Sequence, residues 1–383
     1  MQVDIPGPEQ KLPVTVLTGF LGAGKTTLLS RMLASPDMAN TAVIINEFGE
    51  IGLDHDLVET GGEEGIVTLS SGCLCCTVRG DLVRTMHDLY GRMKDGRVRP
   101  FKRVVIETTG LADPAPILQT LMQDAAIDHF FRLEGVITLV DAVNGADTLD
   151  RHEEAVKQAA VADRIVLTKA DLASKAATDA LAERLRRLNP AAPIFPVEHG
   201  RIDPGQLLDA GLYDARTKSV DVQRWLAEEA YGGPHGHHHG HQHGDHDHHH
   251  GHAHDHAHRH DAGAGQDPHN VNRHDEHIRA FAIRMAEPIP AAAFSLFLDL
   301  LTAQRGADLL RVKGIVHIAE EPDRPLVFHA VQHVMHPPVT LDRWPSDDRD
   351  TRLVFIVRDL DKGQVESLLA ALARAHADLG GGG

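Results

Sequence analysis

Cysteine and aromatic residues are scarce in this chain of 383 residues: it has three cysteines, and aromatic side chains make up 4% of it. The three cysteines fall within four positions, at Cys73, Cys75 and Cys76. Adjacent cysteines cannot pair without strain, and no distant cysteine is present to close a loop, so this pattern argues against a disulfide framework. Reduced thiols instead favour a cytoplasmic protein.

Long apolar runs and an excess of basic residues are also missing. No apolar run approaches the length of a membrane span, and the N-terminus lacks a basic region followed by an apolar stretch, so we expect neither a membrane segment nor a signal peptide. The formal net charge is −17 with histidine neutral. Without a basic stripe, this charge argues against nucleic acid as a partner.

The cysteine cluster has the composition of a soft-metal site. A structural zinc site usually closes a tetrahedron from two separated pairs of ligands, and this chain has no second cysteine pair. We therefore predict an open site with three sulfur ligands. A partner's ligand can enter the open position before the first ligands leave, so such a site can pass its metal on.

A phosphate-binding loop follows the first apolar segment. Residues 14–18 are β-branched and apolar, and residues 19–26, G-F-L-G-A-G-K-T, lead into a helix-like segment. In this arrangement backbone N–H groups surround a phosphate, the lysine reaches the β and γ oxygens, and the threonine hydroxyl ligates Mg²⁺. We assign nucleotide contacts to Gly19, Gly22, Ala23, Gly24, Lys25, Thr26 and Thr27, with Lys25 and Thr26 also catalytic.

Two later strand-like segments also end in polar residues. Residues 103–106 lead into Glu107, predicted to be catalytic by holding or orienting the Mg²⁺ shell, and the Gly110 amide is predicted to sense a γ-phosphate. Residues 164–167 lead into Thr168, Lys169 and Asp171. A carboxylate at 171 can accept two hydrogen bonds that guanine offers and adenine does not, which favours GTP. Alternatively, Asp171 is the N-cap of the next helix.

The order of strand-like and helix-like segments predicts an α/β protein of two domains. Alternation through about residue 197 indicates a P-loop NTPase with a doubly wound, mostly parallel sheet, including one long helix at 148–160. Strands at 278–284, 309–318, 326–336 and 352–357, with helices at 290–303 and 362–376, indicate a smaller β-rich α/β domain. We place the domains at 1–222 and 277–378, with a linker at 223–276.

Histidine dominates the linker and recurs in the second domain. In residues 235–260 nearly every other residue is histidine, with Gly, Asp and Ala between, so we expect a disordered tract that binds transition-metal ions; an internal cloning tag is the alternative. Further on, His329 and His333 are predicted to share one face of a strand and His336 to lie on the other. Packed or surface roles suit these three better than metal binding.

Five motifs together resemble the CobW family of P-loop GTPases. They are G-F-L-G-A-G-K-T-T, I-N-E-F-G-E-I-G-L-D at 45–54, C-L-C-C, E-T-T-G-L-A-D-P at 107–114, and T-K-A-D, in which Thr168 replaces the usual Asn. The family comprises metal-handling GTPases related to the nickel-insertion GTPases of hydrogenase and urease maturation. The resemblance covers nearly the whole chain and implies that the cysteines bind Zn²⁺ or Co²⁺ under control of the GTP state.

These patterns predict a GTP-hydrolysing metallochaperone that delivers Zn²⁺ or Co²⁺ to a client metalloprotein. The cysteines lie between the P-loop and Glu107, so metal and γ-phosphate would share one switch. In the same interval Glu47 and Glu50 could add an oxygen ligand or orient the nucleophilic water, or they could be solvated loop charges. The alternatives are a metal store whose nucleotide site is structural or regulatory, and a P-loop kinase, which Asp171 disfavours.

Overall fold

A computed structural model describes residues 11–46, 67–71, 78–208, 277–335 and 338–380. The predicted linker, Cys73, Cys75, Cys76, Glu47, Glu50 and His336 lie outside the described residues. No helix within those ranges is both long and apolar enough to cross a membrane.

The first domain is built on a parallel sheet of seven described strands in the order β3-β2-β4-β1-β5-β6-β7. The strands are β1 (Leu12–Gly19), β2 (Thr41–Asn46), β3 (Val67–Ser71), β4 (Arg103–Glu107), β5 (Phe131–Asp141), β6 (Arg164–Thr168) and β7 (Ile194–Pro196). The helices are α1 (Lys25–Leu33), α2 (Val78–Lys94), α3 (Ala115–Gln123), α4 (Ala125–Phe130), α5 (Gly145–Arg151), α6 (Glu153–Ala160), α7 (Lys175–Leu188) and α8 (Pro204–Leu207).

Both faces of this sheet are buried, as expected when helices cross between parallel strands. Successive residues of β4 point to opposite faces. Val104 and Ile106 join a core that includes side chains of α2 and α3, whereas Val105 joins a core with side chains of α1. The predicted doubly wound P-loop architecture is confirmed.

Three details of this domain differ from the prediction. Strand β3 was not predicted. The single helix predicted over 148–160 is wrong: His152 is extended, with φ −128° and ψ 110°, and separates α5 from α6. Helix α4 was not predicted: Asp124 ends α3 and starts α4, because its carboxylate accepts hydrogen bonds from the N–H groups of Ala126 and Ile127.

The second domain is an antiparallel sheet covered by two helices. Its strands are β8 (Ile278–Met285), β9 (Leu309–Val316), β10 (Leu326–Val331), β11 (Val334–Met335), β12 (Val339–Thr340) and β13 (Thr351–Arg358), and its helices are α9 (Ala291–Arg305) and α10 (Lys362–Gly380). The described strands follow the order β11-β10-β9-β13-β8, with β12 also on β10. Phe297 of α9, Leu369 of α10 and Phe355 of β13 share one core. The predicted β-rich α/β domain is confirmed.

The histidine prediction in this domain is wrong. Strand β10 ends at Val331, and a turn with Gln332 at φ 54° reverses the chain into β11. His329 is therefore buried within β10, while His333 lies exposed in the turn. The two do not share a face of one strand.

A buried ion cluster joins the two domains. The carboxylate of Asp163, which precedes β6, accepts hydrogen bonds from Arg311 (2.5 Å) and Lys313 (2.7 Å) of β9. All three side chains are at most 8% exposed. Burial favours the neutral form of Asp163, but the two cations outweigh it and hold the pKa of this carboxyl below its usual value.

Candidate nucleotide and metal site

The carboxyl ends of β1, β2 and β4 lie side by side around a cavity. Glu107 is in register with Leu17 on one side and Ile45 on the other. The cavity measures about 410 Å³. Its lining comes from the P-loop, the start of α1, the loop after β4, and one residue each from β2, β4 and the loop after β6. These residues are Leu21, Gly22, Gly24, Lys25, Thr26, Thr27, Ile45, Glu107, Thr108, Thr109, Gly110, Leu111 and Lys169.

Glycine is required in the P-loop by backbone geometry. Gly22 and Gly24 have φ of 74° and 89°, and Gly24 caps α1. The N-terminus of α1 borders the cavity, where its free N–H groups favour an anion. Lys25, the first residue of α1, donates to the carbonyls of Gly19 (2.9 Å) and Phe20 (3.3 Å), which keeps its ammonium over the loop.

A hydroxyl and a carboxylate meet on the floor of the cavity. Thr26 Oγ1 donates to Glu107 Oε1 at 2.7 Å, although the two residues are 81 positions apart. Glu107 is 5% exposed. Both groups present hard oxygen atoms of the kind that Mg²⁺ prefers, so the residues present fit this ion.

The loop after β4 is anchored on both sides of Thr109. Thr108 donates its N–H to Leu17 O (2.9 Å) and its hydroxyl to Thr18 Oγ1 (2.8 Å). Gly110 packs on the P-loop so closely that a Cβ there would lie 2.6 Å from the backbone nitrogen of Leu21. Its carbonyl accepts a hydrogen bond from Gln158 of α6. The loop that is predicted to sense phosphate is therefore clamped to the P-loop.

The T-K-A-D segment also contacts the P-loop. Thr168 donates its hydroxyl to Ala23 O at 2.7 Å, so the threonine that replaces the usual Asn still ties this segment to the phosphate loop. Lys169 has φ 57° and pairs with Asp141 at 2.7 Å. Burial raises the pKa of Asp141, but hydrogen bonds from Lys169, Asn144 and the backbone more than offset this and lower it.

Asp171 is held by a residue that the sequence did not single out. Its carboxylate accepts the backbone N–H of His199 at 3.3 Å, and the His199 ring nitrogen Nδ1 lies 3.1 Å from its other oxygen. The N-cap of α7 is Ser174, which accepts from the N–H of Ala177. The alternative role of Asp171 as helix cap is therefore wrong.

The structure brings together most of the described residues that the sequence proposed for nucleotide contact. Eight of them line this cavity: Gly22, Gly24, Lys25, Thr26, Thr27, Glu107, Gly110 and Lys169. Gly19, Ala23, Thr168 and Asp171 are not part of its lining; Gly19 lies against β5, and Ala23 is 2% exposed. Sequence reasoning missed Thr109, Asp141 and His199. Asp141 had a signal, since an acid at the end of a parallel strand faces this edge.

The described residues do not form a cluster of metal ligands. Within residues 11–46, 67–71, 78–208, 277–335 and 338–380, no group of three or more His, Cys, Asp or Glu side chains could hold a metal ion. The predicted metal residues Cys73, Cys75, Cys76 and Glu47 lie outside these ranges.

Two known domain families match this chain. The CobW/HypB/UreG nucleotide-binding domain matches residues 13–196, and the C-terminal domain of the cobalamin synthesis protein cobW matches residues 278–373. The chain belongs to the CobW/HypB/UreG family. The resemblance seen in the motifs is thereby confirmed, including its C-terminal part.

Relatives in this family span the whole chain. The zinc chaperone YjiA of Escherichia coli is 32% identical over 364 residues, which are 95% of this chain and 99% of YjiA. The zinc chaperone CobW of Pseudomonas aeruginosa is 31% identical, over 94% and 91% of the two chains. A crystal structure of zinc-bound YjiA GTPase from E. coli covers 94% of this chain and 99% of that one, with a TM-score of 0.65 and 28% identity.

Proposed function

We propose that this protein is a GTPase that acts as a zinc metallochaperone, holding its metal at the cysteine cluster. The observation that carries the proposal is that β3, the strand that precedes the cysteines in the sequence, ends at the same edge of the sheet as the phosphate cavity. Strand β3 ends at Ser71, in register with Asn46 of β2, and β2 adjoins the strand that ends at Glu107. Relatives that span the chain are named zinc chaperones.

The distance between the two sites is limited by covalent geometry. Neighbouring strands lie about 4.8 Å apart, so Ser71, two strands away, is roughly 10 Å from Glu107. Cys73 follows Ser71 by two residues, and a chain extends by at most ~3.6 Å per residue. The strand that precedes the cysteines in the sequence thus ends near the phosphate site, which supports control of the metal by the nucleotide.

Hydrolysis of GTP is assigned to the residues that line the cavity. Lys25 is placed to bind the β and γ oxygens of the triphosphate, and the N-terminus of α1 adds its N–H groups. Thr26 and Glu107 would hold Mg²⁺, which supplies positive charge against the charge that develops on the phosphate oxygens. The Gly110 amide senses the γ-phosphate, because the loop is fixed on the P-loop at this position.

The choice of guanine rests on Asp171. The N–H of His199 holds one oxygen of the carboxylate, and a carboxylate in a fixed position can accept both donors on the guanine edge. Adenine lacks that pair of donors. GTP is therefore the nucleotide that this loop favours.

Metal handling is assigned to Cys73, Cys75 and Cys76, with Glu47 as a further ligand. Three thiolates suit Zn²⁺, and Co²⁺ is a second cargo that the same ligands accept. The histidine tract at 235–260 would load or buffer metal ions, and a client metalloprotein would receive them. The proposed domain limits are 1–222 and 277–378, with the tract in the segment between them.

A metal store is the second candidate, favoured by the number of histidines, 28 in the chain. The test measures phosphate release from GTP and from ATP without an added acceptor, and the zinc stoichiometry of the intact protein and of a variant with all three cysteines changed to serine. The proposal expects GTP-selective phosphate release and the loss of one tightly bound zinc ion in the serine variant. Absence of phosphate release, with zinc retained by the serine variant, would favour the store.

A further inference from the structure

One side chain of α6 holds the turn that follows β4. The N–H of Ala112 donates to the Thr109 carbonyl at 3.3 Å, which closes the turn, and both Thr109 and Gly110 line the phosphate cavity. Gln158 of α6 donates from Nε2 to the carbonyls of Gly110 (3.3 Å) and Ala112 (3.0 Å). The turn therefore lies between the phosphate cavity and α6.

The P-loop contacts the same turn. A Cβ at Gly110 would lie 2.6 Å from the backbone nitrogen of Leu21, so no side chain fits between the turn and the P-loop at this position. Packing against Leu21 and the hydrogen bonds from Gln158 together determine where Gly110 lies relative to the P-loop. Because Gln158 bonds the turn and not the P-loop, a substitution there is expected to shift the turn and leave the P-loop in place.

Gln158 is itself held in place. The residue is 1% exposed, and its backbone carbonyl accepts the hydroxyl of Thr138 in β5 at 2.7 Å. Its side-chain oxygen Oε1 has no hydrogen-bond partner in the part of the chain that the structure describes, so the amide nitrogen is the atom through which this side chain acts on the turn. A donor fixed in this way meets the requirement for positioning a group that contacts a substrate.

We propose that Gln158 is a positioning residue for GTP hydrolysis, which holds the turn after β4 where its backbone meets the γ-phosphate. This inference rests on the proposed GTPase function. GDP has no γ-phosphate, so its phosphates depend on the P-loop and the N-terminus of α1 and not on this turn. Loss of the Gln158 donor therefore weakens GTP binding and slows hydrolysis without weakening GDP binding.

Two substitutions remove the donor without shortening the side chain. Neither Gln158→Met nor Gln158→Glu, as a carboxylate, can donate to the two carbonyls. For each variant we expect affinity for a non-hydrolysable GTP analogue to fall about tenfold and kcat to fall about 10- to 100-fold. Affinity for Mg²⁺-GDP should stay within about twofold of the intact protein. Equilibrium titration with each nucleotide and phosphate release from GTP measure these values.

Asn189 offers a matched control. Its amide nitrogen is also buried and also donates to backbone carbonyls, those of Ala159 (2.9 Å) and Ala160 (3.1 Å) at the C-terminal end of α6. Neither carbonyl belongs to a residue that lines the phosphate cavity. Asn189→Leu should lower the thermal unfolding midpoint, as Gln158→Met does, because both variants leave buried carbonyls without a donor. It should leave kcat and the ratio of analogue to GDP affinity within about twofold.

The proposed function and the role of Gln158 fail separately. An intact protein that releases no phosphate from GTP refutes the proposed function. The role of Gln158 is overturned if the intact protein hydrolyses GTP and a folded Gln158 variant changes the ratio of analogue to GDP affinity by less than about threefold. It is also overturned if Asn189→Leu changes that ratio as much as Gln158→Met, because a general loosening of α6 would then explain the effect.

Discussion

Replacing Asp163 by asparagine tests whether the ion cluster between the domains stabilises the fold. Asp163 Oδ1 accepts from Arg311 and Lys313, and Oδ2 accepts the N–H of Val136 at 2.9 Å. Asparagine fills the same space and keeps one oxygen acceptor, but it carries no charge. The Asp163→Asn variant therefore leaves Arg311 and Lys313 buried next to each other without the negative charge of Asp163.

The expected loss of stability in Asp163→Asn is large. Removing one partner of a buried ion pair costs about 3–5 kcal/mol, which is a substantial part of the ~5–15 kcal/mol that stabilises a typical domain. Glu153→Gln is the matched control, because Glu153 of α6 also reaches the second domain, through Arg358 of β13. Its side chain is 42% exposed, so the loss should stay below about 1 kcal/mol.

Urea unfolding of the intact protein, the two single variants and the double variant Asp163→Asn/Lys313→Met, without nucleotide or zinc, measures the difference. Asp163→Asn should lower the free energy of unfolding by several kcal/mol, and adding Lys313→Met to it should restore part of the loss, since one of the two buried cations is removed. A loss for Asp163→Asn no greater than that for Glu153→Gln would refute the argument from burial.

The same cluster predicts that the stability of the protein depends on pH in the alkaline range. Burial and the neighbouring charge of Arg311 lower the pKa of Lys313 to about 8. Between that pH and its usual value near 10.5, the unfolded chain holds a proton on Lys313 that the folded protein has released. The contribution of Lys313 to stability therefore rises with pH across this window. The free energy of unfolding of the intact protein, relative to Lys313→Met, should increase from pH 8 to pH 10.

Two further substitutions and one deletion test the proposed roles. Lys25→Ala should abolish GTP hydrolysis in a phosphate-release assay, because the lysine no longer neutralises the negative charge on the transferred phosphate. Turnover at the rate of the intact protein would contradict this. Asp171→Ala should lower the GTP-to-ATP ratio of kcat/KM by about 100-fold or more, whereas equal use of both nucleotides by the intact protein would remove the assignment. Deleting residues 235–260 should leave hydrolysis intact and reduce the number of weakly bound metal ions, and an unchanged metal stoichiometry at neutral pH would count against the role of the tract.

Features that depend on local sequence could be predicted. The P-loop glycines, Glu107 and the T-K-A-D segment each follow a buried strand, and the geometry of a parallel sheet brings the ends of such strands to one edge. The C-terminal sheet could be predicted in the same way, from alternation and strand length. The turn at Gln332 could not, because the segment from His329 to Met335 contains no glycine, proline, asparagine or aspartate to mark a turn.

Features that depend on tertiary contact could not be predicted. The Asp163–Arg311 pair joins residues 148 positions apart, and no sequence pattern links the two positions. The contact between Asp171 and His199 depends on the loop after β7 returning to the T-K-A-D segment. Strand β3, V-T-L-S-S, carries too few apolar residues to be recognised, although it leads directly toward the cysteines.

The central claim is that the nucleotide controls the metal, and zinc affinity in the two nucleotide states tests it most directly. Zinc affinity is measured by chelator competition with Mg²⁺-GDP and with Mg²⁺ and a non-hydrolysable GTP analogue, with the triple Cys→Ser variant as control. Affinity should be higher with the analogue, by about 5- to 150-fold, and zinc should tighten analogue binding by the same factor. Equal zinc affinity in the two states of the intact protein would contradict the chaperone account and leave a metal store in its place.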